Sequence, residues 1–292
     1  MTQAEAAIER FRSGERFRPP ASSFLGGEAS GELLGQLGGA LESEPGAVRV
    51  EIVKLLADLA WRADPSYGKG GRVIHDEATI HVLVKGGLAH VDVGRDAALE
   101  VLKTYVPAEL LRPHGRALTA DLQHAPDSTA LHVIAKAKPP EASVLVRRLL
   151  ATSRWSREES ARVAAAALGD RAIEQEFIAA FASATDGRQK VHLAKVLGWI
   201  GTGGALQALA QQMRTGVVLE VPMALRRSAR LDIIGALGYN FPDEVLLYES
   251  AIRSDADYAR IEEWCERRFH VRWDRERPPF LTVQGFPIPV RP

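Results

Sequence analysis

Residues 188–213, RQKVHLAKVLGWIGTGGALQALAQQM, decide the fold. Leu193, Leu197 and Ile200 recur at helical spacing and mark one buried stripe, Gly201-Thr202-Gly203-Gly204 breaks the helix, and Ala205-Leu206-Gln207-Ala208-Leu209 opens a second one. Two amphipathic helices joined by a glycine turn pack back on each other, and such a pair needs similar neighbours to cover its remaining apolar surface. A related block follows at 228–240, SARLDIIGALGYN. The stretch therefore reads as one unit of an α-solenoid.

Working outward, the buried couple of each second helix recurs as Leu55/Leu59, Ala98/Leu102, Ala130/Ile134, Ala164/Leu168, Leu193/Leu197 and Ile233/Leu237. The intervals run from about 29 to 43 residues, inside the range of stacked supersecondary units. Helices are expected at 32–41, 48–61, 95–105, 108–124, 129–138, 142–152, 157–168, 173–182, 226–237, 243–253 and 256–269, with Pro107, Pro126 and Pro139-Pro140 at their boundaries. Residues 80–93, IHVLVKGGLAHVDV, fit either a β-hairpin about Lys85-Gly86-Gly87 or a helix ending there. The alternation of the neighbours favours the helix. Residues 1–27 read as an N-terminal cap in which Phe11, Phe17 and Phe24 cover the end of the stack. Residues 28–270 form the solenoid, and 271–292 an extended tail rich in proline and aromatics. The apolar connector 216–223 either folds onto the stack or offers an edge to a partner. The expected fold is all-α, a right-handed superhelix of about six helix pairs.

Three segments resemble a known family: Ser160-Ala161-Arg162 with AAALGD at 165–170, LAKVLGWIG at 193–201, and ARLDIIGALG at 229–238. They look like the second helix of bacterial HEAT-like repeats, the type also found in phycobilin lyases. Residues 205–209 match the start of the family's first helix. The resemblance covers about 157–252 and extends in weaker form over 32–156, departing at Thr202, where the family usually has aspartate. HEAT-like repeats serve scaffolds, inhibitors and a few enzymes, so the resemblance implies a fold more than an activity.

Composition narrows the function classes. Thirty-seven basic and 37 acidic residues cancel, leaving no global field of the kind sequence-independent nucleic-acid binding uses, and nucleic acid is disfavoured as a partner. The single cysteine, Cys265, sits among Glu262, Glu263 and Glu266 and suits a reducing cytoplasm better than a disulfide framework. No apolar run is long enough for a membrane span. The loop SYGKGGR at 66–72 lacks phosphate-loop spacing, and His75, Asp76, Glu77 and His81 lack the spacing of a zinc motif. No catalytic residue, metal or cofactor is expected.

Helix geometry marks a different feature. With Leu193, Leu197 and Ile200 inward, Arg188, His192, Lys195 and Trp199 form a ridge on another face of the same helix. Transferred through the repeat alignment, equivalent positions include Asp232 and Tyr239, His132 and Lys136, and Lys54 with Trp61. Aromatic and charged residues along a concave helical surface have the makeup of a protein interface. The alternative is that the aromatics pack within the stack. The expected function is a non-catalytic protein-binding scaffold or an inhibitor of immunity-protein type; the different-class alternative is a HEAT-like enzyme related to bilin lyases or DNA glycosylases. Gly198 and Gly238, at equivalent helix ends, are expected to need either a left-handed backbone or a close helix approach.

Overall fold

The computed structural model describes residues 1–27, 32–63, 73–152, 154–155, 158–221, 225–241, 255–273, 281–283 and 286–287. The glycine-rich loop at 66–72, the helix expected at 243–253 and most of the tail lie outside them. The protein is predominantly helical and divides into two compact units, residues 1–161 and 162–292. That boundary differs from the cap, solenoid and tail division read from sequence.

The first unit opens with α1 (Gln3–Arg12), which a Thr2/Glu5 capping box starts, and α2 (Ala21–Leu25). Phe11 stacks on Phe24 at 5.0 Å and Phe17 meets Phe24 edge-on at 5.5 Å. These rings are buried. Next come α3 (Leu33–Ser43), α4 (Gly46–Ala63), α5 (Glu77–Lys85) and α6 (Val93–Tyr105). Residues 80–93 thus hold the end of α5, a turn through Gly86-Gly87 and the start of α6, with no hairpin. Asp76 caps α5, its carboxylate accepting from the Thr79 amide at 2.8 Å, a structural role for part of the weighed metal cluster.

The helix expected at 108–124 is broken into α7 (Ala108–Leu111), a single 3-10 turn at Arg112–His114 and α8 (Gly115–His124). Pro113 accounts for the break, because it has no N–H to give and its ring crowds the preceding turn. The unit continues through α9 (Ser128–Ala137) and α10 (Ala142–Leu150) into α11 (Glu159–Ala167), within which the unit boundary falls. α3 packs on α4, α4 on α6 and α6 on α9, so the second helices of successive pairs lie side by side. Ile52, Leu55 and Leu56 of α4 are no more than 1% exposed, and they form most of the stripe read from sequence.

The second unit holds α12 (Arg171–Ser183), α13 (Gly187–Ile200), α14 (Gly203–Gln211), α15 (Arg230–Gly238) and α16 (Asp255–Phe269). α13 begins at Asp186, whose carboxylate accepts from the Gln189 amide at 2.8 Å, and ends at the left-handed Gly201, φ 54°. Thr202 then caps α14 through a bond from the Ala205 amide. A hydroxyl thus fills the place where the resembled family usually has aspartate.

One small antiparallel sheet interrupts the helices, with strands β1 (Val218–Val221), β2 (Leu225–Ser228), β3 (Leu281–Val283) and β4 (Phe286–Pro287) in that order. Residues 218–221 of the connector therefore form a strand paired with 225–228, and the helix expected from Arg226 starts only at Arg230. A run rich in β-branched residues prefers paired strands.

Gly198 and Gly238 are not left-handed. A Cβ at Gly198 would stand 2.9 Å from the Ala236 carbonyl oxygen, so α13 and α15 meet here at a distance only glycine permits. Gly198→Val is expected to destabilise by about 2 kcal/mol, measured by chemical denaturation. A variant melting like the parent would show that the two helices separate easily.

Candidate functional site

The close approach at Gly198 shapes a cleft on the surface of the second unit. Gly198, Gly235 and Ala236 give the cleft a floor of small residues where the two helices meet. Around that space stand Lys195 and Trp199 from α13, Asp232 from α15, and Tyr239 just past its end, lining a cleft of about 230 Å³. Asn240 fixes the geometry by donating to the Gly198 carbonyl at 2.8 Å and the Ala236 carbonyl at 3.3 Å. Leu193, Leu197 and Ile200 are buried, which puts the opposite α13 ridge outward. Arg188, His192 and Lys195 are exposed along it, and Trp199 is half-buried at the cleft. Asp232 is only 6% exposed. Burial raises the Tyr239 phenol above its ordinary range, so the ring stays neutral. A cation, a carboxylate and two aromatics around a floor of small residues suit an amphipathic side chain of another molecule.

The equivalent positions in the first unit behave differently. Lys54 is exposed and pairs with Glu51 at 2.8 Å, and Trp61 is half-buried with its ring edge-on to Tyr105 at 4.6 Å. His132 is half-buried, and burial, with Lys103 nearby, lowers its imidazole pKa. Lys136 does not join an outward ridge. It is 6% exposed and donates to the Lys103 carbonyl oxygen at 2.7 Å. The reason is packing: α6, α7 and α8 all contact α9, leaving its face near Lys136 without an open side.

Two groups of residues escaped the sequence reading. In the first unit, fully buried Arg49 donates to both Asp92 carboxylate oxygens at 2.8 Å and to the Gly86 and Gly87 carbonyls at 2.9 and 2.8 Å. Asp92 is also the N-cap of α6. One pair further on, Arg95 donates to Asp121 at 2.7 and 2.8 Å, to the Ala125 carbonyl at 2.7 Å and to Asp127, the N-cap of α9. An arginine near the start of one second helix thus holds the cap of the next. The visible signal was an aspartate three residues before an arginine, Asp92 and Arg95, at a helix start.

The other group surrounds Lys190 of α13. This residue is 1% exposed, donates to the Phe181 carbonyl at 2.6 Å and to Gln212 at 2.9 Å, and lies 4.2 Å from the Phe181 ring centre. Burial pushes its amine down to about 8 and that of Lys136 down to about 7. In the unfolded chain both hold their protons to about 10.5, the ordinary lysine value. Between pH 7 and 9 the unfolded state therefore binds more protons, and stability rises with pH. Below pH 7 both states are protonated and the effect is absent. Above 9 it is opposed by Cys265, whose thiol burial and the nearby Glu262 and Glu266 push up to about 12. Urea midpoints should rise from pH 7 to pH 9 and rise less in Lys136→Met. A flat or falling profile in the parent would mean that both ammonium groups stay hydrated when the chain folds.

Among the described residues, no group of three or more His, Cys, Asp and Glu side chains could hold a metal ion, and no helix is long and apolar enough to cross a membrane. The chain matches no protein-family model, no curated protein and no solved structure.

Proposed function

We propose that the chain is a non-catalytic protein-binding module of the cytoplasm, built from HEAT-like helix pairs wound in a right-handed superhelix, and that it acts as a scaffold or as an inhibitor of immunity-protein type. The observation that carries this reading is the convergence of Lys195, Trp199, Asp232 and Tyr239 on one cleft between two helices. The aromatic anchors of the interface are Trp199 and Tyr239; the exposed Arg188, His192 and Lys195 beside them form its polar rim.

A photo-crosslinking residue in place of exposed Arg188 should capture the partner in cells, after which affinity can be measured with both proteins purified. Trp199→Ala and Tyr239→Ala are each expected to weaken binding by about 2 kcal/mol. Neither should prevent folding. If Trp199→Ala leaves both stability and binding unchanged, the partner docks elsewhere, and the exposed side of β1 around Val218 is the next surface to probe. If it unfolds the protein, the indole is a structural element and the reading fails.

A further inference from the structure

A second cleft, of about 440 Å³, lies within the same unit beside Lys190. Its walls include Lys190, Gln212, Arg214, Thr215, Arg272 and Trp273. Lys190 is the unusual member: a buried ammonium whose two hydrogen-bond acceptors, the Phe181 carbonyl and the Gln212 side chain, are both uncharged. Burying a charge without a counterion is costly, and an anion in the cleft would remove that cost. The low amine pKa, for which burial is the cause, is consistent with this.

The other cations strengthen the argument. Arg214 is held by Glu262, its Nε and Nη2 donating at 3.2 and 3.1 Å, and its guanidinium lies 4.9 Å from the Trp273 ring centre. Trp273 is itself fixed through its indole N–H, which donates to the Ala210 carbonyl at 3.2 Å. Arg272 is exposed at the cleft and makes no ion pair among the described residues. Among the described residues, neither of the other two cations, Lys190 and Arg272, is paired with a carboxylate. A carboxylate ligand would neutralise one of them and a phosphate monoester, as a dianion, both. The rigid fork of Arg272 matches phosphate oxygens, Lys190 supplies a point charge, and the Thr215 side chain adds a hydroxyl at the wall. The volume is in the range that takes a small organic ligand and exceeds what a bare ion needs.

We propose that this cleft binds a small phosphorylated molecule, its phosphate group held between Lys190 and Arg272. The site is independent of the protein-binding cleft at Trp199, and either can exist without the other.

Isothermal titration at constant ionic strength, with inorganic phosphate, glycerol phosphate and acetate as probes, tests the proposal. Phosphate and glycerol phosphate should bind, and acetate should not. Tighter binding of glycerol phosphate identifies an organic phosphate as the ligand, whereas equal binding assigns the site to free phosphate and overturns the organic part of the proposal. Lys190→Met should abolish binding. Because that variant also loses two buried hydrogen bonds, Arg272→Gln is the decisive one: it should melt as the parent does and bind phosphate about tenfold more weakly, the loss of one charge-assisted contact. Phosphate binding unchanged in Arg272→Gln, no phosphate binding by the parent, or acetate binding as well as phosphate, would each overturn the site.

Discussion

Arg95→Ala is expected to cost about 4 kcal/mol of stability, because breaking a buried ionic network strands the charges left behind. The Arg95 side chain is 3% exposed and that of Asp121 is 6% exposed. Removing the guanidinium leaves the Asp121 carboxylate buried and the Ala125 carbonyl without its donor. Burial already pushes the Asp121 carboxyl upward with the arginine present, so without it the group should take up a proton. A double variant, Arg95→Met with Asp121→Leu, should lose less than Arg95→Ala alone, since apolar replacement of both partners removes the desolvation penalty together with the attraction. Urea denaturation of the three proteins decides it. A single variant within about 1 kcal/mol of the parent would show that the network is hydrated in solution.

The second large effect is expected at Gly187, the first residue of α13. A Cβ there would lie 2.0 Å from the Val218 carbonyl oxygen and 2.9 Å from the Leu219 Cα, so strand β1 crosses the helix start in contact with bare backbone. The obstruction is backbone, and no side-chain rotation relieves it. Gly187→Ala should therefore destabilise by about 3 kcal/mol or more, even though alanine is the better helix former. Hydrogen exchange at the paired amides of β1 and β2 should accelerate together as the hairpin lifts. Gly203→Ala is the control, since nothing lies within 4 Å of a Cβ built there. It should be neutral or slightly stabilising. A Gly187→Ala protein with parental melting and exchange would remove the hairpin from its place on α13.

Gly187 also explains what could and could not be read in the chain. Helix positions follow from local periodicity and punctuation, and α4, α6 and α13 fall within two residues of their expected starts and ends. The sheet obeys no such local rule. β2 carries Arg226 and Arg227 directly before an apolar helix, which imitates a helix start, and its third strand arrives from residues 281–283, more than fifty residues later. The α13 ridge was legible because one helix supplies it and the buried stripe fixes the angle. Its α15 counterparts followed because α13 and α15 are direct neighbours. Lys136 was misplaced for the opposite reason: helical phase gives the direction of a side chain but not how many neighbours surround it. Lys190 has charged and polar sequence neighbours, so only the packing of Phe181 and Gln212 around it reveals a buried cation.

The arginine ties of the first unit have a direction. Arg49 finds its carboxylate 43 residues further along the chain and Arg95 reaches Asp127, 32 residues ahead. On a ribosome, where the chain emerges from its N-terminus, Arg49 of a finished α4 has no carboxylate until Asp92 has been made, and Arg95 of α6 waits in turn for Asp121 and Asp127. Each helix pair is thus completed by a residue synthesised after it. Premature release between these points would leave a fragment with an arginine that must either stay in water, holding its helix away from the core, or be buried without a partner. Such fragments are expected to be less stable than the full-length chain.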